Sequence, residues 1–186
     1  MYYSGGIFFE RWADMQLLTQ EEKNGIEQKA RRFLVDNHAA KMPIEPEALA
    51  QSVGLSVRYA SIPGNTIGKL NKDDRVIVVD EWLKSDSAYA RCVIAHELGH
   101  WCLEENTLGE AAMASGSESE IKELAASLFA RAMLMPRPYL EKAVEIYNEK
   151  KRQEFGSLTD YVTALFRVTN RKAKLRLEEC GFGQFA

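Results

Sequence analysis

The sequence contains no apolar run near the roughly 18 residues that would suggest a membrane span, and the IFF close to its start is broken at once by Glu10 and Arg11. No membrane partner is therefore expected. A signal-peptide pattern is missing as well, which makes the cytoplasm the expected location. Cysteine is sparse. Cys92, Cys102 and Cys180 are odd in number and irregularly spaced, which excludes a disulfide framework and fits reduced thiols. Neither charge sign dominates: a formal charge of −3 gives no whole-protein attraction to nucleic acid or anionic membrane, so such binding would need a local patch. There is no internal repeat and no low-complexity tract. Histidine is as rare as cysteine, three in all, yet two of the histidines fall four positions apart.

What is present is an ordinary globular composition, 46 % apolar and 27 % charged over 186 residues, enough for one domain with a core and a small appendage. Residues 1–18 match no period and read as an N-terminal extension, disordered or docked on the body. Thr19 and Glu22 have capping-box spacing ahead of Ile26, Ala30, Phe33 and Leu34, so a helix is expected over about 20–38. Pro43 and Pro46 break it, and a short helix with Pro46 in its first turn and Gly54 at its end should follow.

The period then changes to two. Leu55, Val57 and Tyr59 alternate with Ser56 and Arg58, and two more strands are expected at 66–70 and 75–80, joined by the polar turn Asn71 to Asp74. Helical period returns at 88–104 and again from Ser117 to just before Pro136, with a loop at 106–116. Shorter helices should run from Pro138 to about Phe155, over 159–166 and over 171–179. This pattern predicts an α+β fold with a small sheet beside the 88–104 helix. The expected division is a domain over 19–140 followed by a helical, helix-turn-helix-like subdomain over 141–186.

The chemistry concentrates in VIAHELGHWCLEE. On an α-helix four positions advance about 400°, so His96 and His100 lie about 40° apart in azimuth and about 6 Å apart along the axis, close enough for both imidazoles to reach one metal ion. Glu97 falls beside that site, where its carboxylate can serve as a base. Gly99 costs about 1 kcal/mol relative to Ala inside a helix, an expense that makes sense if something approaches the backbone closely there.

A catalytic zinc takes a third protein ligand and leaves a position open for water. His38 sits near a predicted helix end, and Cys92, though four residues before His96 on the same face, reads as a buried core thiol. Glu118, Glu120 and Glu123 have better context. Ser117 and Glu120 have capping-box spacing, which would commit Glu120 to the helix start and leave Glu123 free. Ala126, Ser127 and Ala130 share the Glu123 face and would permit close packing against the histidine helix, although a solvated charge at Glu123 fits the spacing equally well.

The stretches CVIAHELGHWCLE and ELAASLFARAMLMP, together with ARRFLVDN and PEALAQSVGLSVRYA upstream, resemble the ImmA/IrrE-type metallopeptidases over roughly residues 27–140. The resemblance implies a zincin-like fold, a Zn2+ cofactor held by His96, His100 and Glu123, and Glu97 as catalytic base. Ser127 departs from it, standing where many members carry Asn or Asp. A protein substrate is implied, a helix-turn-helix repressor or similar regulator of a phage, mobile element or stress response. No residue identifies itself as an oxyanion stabiliser; Tyr139 and Tyr161 are candidates.

Two rival readings remain. Arg167, Arg171, Lys172, Lys174 and Arg176 concentrate at and after a turn between two helical patterns, as a DNA-recognition helix would carry them. Val162, Leu165, Phe166, Leu175 and Leu177 speak instead for packing. The other rival is a catalytically silent zincin-like regulator that acts by contact.

Overall fold

A computed structural model describes residues 2–6 (backbone only), 17–39, 41–103 and 117–185. Thr19 and Glu22 form the expected reciprocal cap, and helix α1 runs from Gln20 to Asp36 with Ile26, Ala30 and Leu34 on its buried stripe. Helix α2 spans Pro46–Ser52 with proline in its first turn, where the missing N–H leaves no bond unmade. Gly54 follows at φ +79°, the left-handed geometry that ends such a helix readily only with glycine.

Three strands come next: β2 at Ser56–Ala60, β3 at Thr66–Asn71 and β4 at Val76–Asp80. The turn between the last two is held by Asn71, whose Oδ1 accepts from the Asp73 and Asp74 N–H groups. A fourth strand, β1 at Tyr2–Gly6, comes from the extension, which is thus docked on the body at this segment. Spatial order is β1-β3-β4-β2, with β2 parallel to β4 and both other pairings antiparallel. Leu70, Ile77 and Val79 from the two central strands are fully buried.

Helix α3, Ser87–Cys102, begins at Asp86, whose carboxylate accepts from the Tyr89 N–H, and packs across the sheet. Helix α4, Glu118–Leu134, starts at a second reciprocal cap, Ser117 with Glu120, and lies along α3 on one side and α1 on the other, where Phe33 and Phe129 meet with ring centroids 5.9 Å apart. The expected loop at 106–116 lies outside the described residues. Helices α5 (Arg137–Ile146, continued by a π turn to Lys151), α6 (Leu158–Phe166) and α7 (Asn170–Glu179) complete an α+β architecture. Among the described residues no helix is long and apolar enough to cross a membrane.

The basic cluster near the chain's end is not a uniform exposed face. Arg176 is 1 % exposed, donates to the Met135 carbonyl at 3.1 Å and pairs with Glu27 at 2.6 Å and Glu179 at 3.3 Å. Arg131 holds the same Glu179 at 2.6 Å. Arg167 occupies the left-handed cap of α6, and its carbonyl accepts from Arg91, which also reaches Glu45. These contacts tie the C-terminal helices to the body, and one cation of the proposed DNA-reading set is spent on packing.

Candidate metal centre

Close approach of α3 and α4 builds the site. A Cβ placed on Gly99 would lie 2.7 Å from the Ala126 carbonyl oxygen and 2.8 Å from its Cα, so the two backbones touch where glycine faces alanine. That is the close approach expected of Gly99, and the small face of α4 is what meets it. The separation brings Glu123 over the two histidines, one turn apart on α3.

His96 Nε2 lies 3.0 Å from Glu123 Oε2 and 3.1 Å from His100 Nε2, and His100 Nε2 lies 3.2 Å from Glu123 Oε1. Among the described residues these three form a cluster able to hold a metal ion. Tetrahedral zinc bonds of about 2.0–2.1 Å set ligand atoms about 3.3 Å apart, so the donor spacing fits the ion. The chemistry of the set fits too: two imidazoles and a carboxylate converge, and the His96 Nδ1 is turned away to Ser127 Oγ at 3.0 Å. When Nε2 ligates a metal, Nδ1–H would donate to the serine, which would hold the ring in the tautomer a ligand requires.

Electrostatics point the same way. Burial holds the His96 imidazole below its ordinary value, outweighing the pull of Glu123, and so favours the neutral ring that can ligate. Burial by itself would raise the Glu123 carboxyl, but hydrogen bonding from His100 and His96 overcomes it and brings the group down to about 2. Glu97 behaves oppositely. Burial pushes its carboxyl well up and the Glu123 charge adds to this, with weak opposition from the Leu70 backbone. Neither of its oxygens makes a hydrogen bond of good geometry although the residue is fully buried, an expensive arrangement for a structural acid. Its Oε1 lies against β3, 2.9 Å from where a Cβ on Gly68 would stand.

The remaining sequence candidates go elsewhere. Glu120 caps α4 through Ser117. Glu118 pairs with Lys122 on the surface. Cys92 is a buried thiol raised by desolvation, with Thr169 as neighbour, and does not belong to the metal-ligating cluster. His38 lies at φ +53° beyond α1, in the lining of a groove with Val35 and Tyr139. Tyr161 is packed between Tyr147 and Phe155. Sequence reasoning did not find Gly68, whose signal, a glycine inside a strand, marks close backbone approach.

Comparison with the curated proteins finds no match. Among solved structures, a Mycobacterium tuberculosis transcriptional regulator is similar in fold, with a TM-score of 0.60 at 16 % identity, covering 89 % of this chain. The match takes in 50 % of that protein, so the chain spans about half its length. Residues 50–178 match the family described as peptidase M78, the IrrE N-terminal-like domain. The small sheet beside the HExxH helix is accordingly a zincin-like α+β fold, and the chain belongs to the M78 family.

Proposed function

We propose that the protein is a zinc-dependent endopeptidase in which His96, His100 and Glu123 hold the metal and Glu97 is the catalytic base. One observation carries this reading: a fully buried carboxylate whose oxygens make no hydrogen bond of good geometry stands beside three converging ligand atoms. Zinc bound there would supply Lewis acidity for the scissile carbonyl and lower the pKa of an attacking water towards about 7.

His96 and His100 present Nε2, and Ser127 keeps the first of them oriented through Nδ1. Glu97 takes a proton from the attacking water as its oxygen bonds to the carbonyl carbon. The same carboxyl then gives that proton to the amine nitrogen as the C–N bond breaks. Burial raises the affinity of this carboxyl for a proton, which suits a group that must take one from water and carry it to the amine. Burial of the group also keeps bulk water from competing for the proton.

Family membership supports a peptidase, and the resemblance of the motif region favours a repressor-type regulator as protein substrate. The transcriptional-regulator description of the similar structure is compatible with that setting. Cytoplasmic location is part of the same reading. Glu97→Gln is the test, since it keeps the size of the side chain and removes its basicity. The variant should bind zinc about as well as the parent, by elemental analysis, while cleavage of any helix-turn-helix repressor that the parent cleaves falls by about 10²- to 10⁴-fold. Retained cleavage by metal-replete Glu97→Gln would remove Glu97 from the mechanism. A parent chain that binds metal and repressor but cleaves nothing would favour the silent regulator instead.

A further inference from the structure

The sheet has one edge beside the candidate centre, and the chain itself covers it. Strand β3 pairs with β4 on one side; its other side, which would otherwise be open, carries β1. The register runs Tyr2 to Asn71, Tyr3 to Leu70, Ser4 to Lys69 and Gly5 to Gly68, then shifts before Gly6 meets Thr66. Regular pairing therefore ends at Gly68, which lies against Glu97.

The geometry at Gly68 selects what can be paired there. Its absent Cβ would lie 2.4 Å from Val93 Cγ1 and 2.9 Å from Glu97 Oε1. A residue paired directly across a sheet shares the face of its partner, so a strand residue opposite Gly68 has its side-chain direction towards the same crowded surface of α3. The residue this chain places there is Gly5. An exposed strand edge binds an extended peptide through main-chain hydrogen bonds, with side-chain fit deciding which peptide is accepted.

We propose that Tyr2–Gly6 fills the β3 edge as a tethered, self-blocking ligand, and that an extended peptide competing for this edge must carry glycine or another small residue opposite Gly68. This deepens the endopeptidase reading and rests on it for the meaning of the bound peptide, while the binding itself can be measured without any cleavage. A tethered segment competes at an effective concentration that reaches millimolar for short connections, so free peptide binds poorly until the resident strand is displaced.

The probe is a fluorescently labelled synthetic MYYSGGIFFE, titrated by anisotropy into the full chain. Tyr3→Pro/Ser4→Pro removes two successive N–H groups from β1, so that whichever faces β3 is lost. This variant should bind the probe roughly tenfold or more tightly than the parent does. In a second chain, Ser4→Cys with Lys69→Cys joins a cross-strand pair whose spacing suits a disulfide. The oxidised form should not bind the probe, and reduction should restore parental binding. A probe with leucine in place of its fifth residue should bind the proline variant at least about tenfold more weakly than the original. Equal binding to parent and proline variant, or indifference to the disulfide, overturns self-blocking; equal binding of the two probes overturns the small-residue requirement. Failure of Glu97→Gln to lose cleavage leaves all three readouts intact, so the two readings fail separately.

Discussion

Two of the buried polar clusters among the described residues are built on opposite rules. In one, Arg176 and Arg131 are each 1 % exposed and share Glu179, with Glu27 and the Met135 carbonyl completing the set around Arg176. Cation meets anion and the donors reach acceptors, the usual condition for keeping charge out of water. In the other, two imidazoles and two carboxyl groups stand close together, and neither oxygen of Glu97 makes a hydrogen bond of good geometry. The first cluster explains itself from the residues present. The second is intelligible when a positive ion and a reacting molecule belong beside it, so an imbalance of charge and hydrogen bonding marks function where balance marks structure.

Substitution should separate the two rules. Arg176→Ala leaves Glu27 and Glu179 without one partner and empties space at the α1, α4 and α7 junction. Unfolding in urea should show a loss on the order of 3–5 kcal/mol, the range for breaking a buried pair from one side. Zinc content of the folded fraction should not change. A stability loss below about 1 kcal/mol would mean that the pairs are no better than surface contacts.

Ser127→Ala makes the converse case. It removes a hydroxyl that touches His96 Nδ1 and little else of consequence, so stability should move little while zinc affinity, measured by competition with a chelator, falls about 10- to 100-fold. Unchanged affinity would show that the ring is held by packing alone. The short serine side chain reaches the ring at 3.0 Å where Gly99 lets the two helices approach closely.

What could be read beforehand divides by range of interaction. Helix starts at Thr19 and Ser117 were legible because a capping box closes within four residues, and the meeting of His96 with His100 because helical geometry alone sets it. The close approach at Gly99 was legible from its cost. By contrast, β1 gave no signal: Tyr2–Gly6 ends in two glycines and shows no apolar alternation, and its register comes from β3, more than sixty positions on. Arg176 looked like part of a basic surface because its partner Glu27 lies 149 residues away. Spacing set Glu120 aside as a cap, yet it could not decide between a ligand and a solvated charge at Glu123, because the partners on α3 lie more than twenty positions away.

The smallest expected effect sharpens that last distinction. Glu120 returns its carboxylate to the Ser117 N–H at 3.0 Å and its own N–H donates to Ser117 Oγ at 3.2 Å, so it satisfies one orphan donor at the start of α4 and supports the satisfaction of another. Its Ser117 hydrogen bonds hold the carboxyl below its ordinary value, as expected of a group that works in its charged form on the surface. Glu120→Ala should therefore lower the unfolding midpoint slightly and leave zinc stoichiometry at one per chain. Glu123→Ala, three residues on, removes the carboxylate that both Nε2 atoms face and should strip the metal from chains that remain folded. If Glu120→Ala empties the centre while Glu123→Ala does not, the donor cluster has been assigned to the wrong carboxylate; if both empty it, the start of α4 is part of the site and the division between capping and ligation fails.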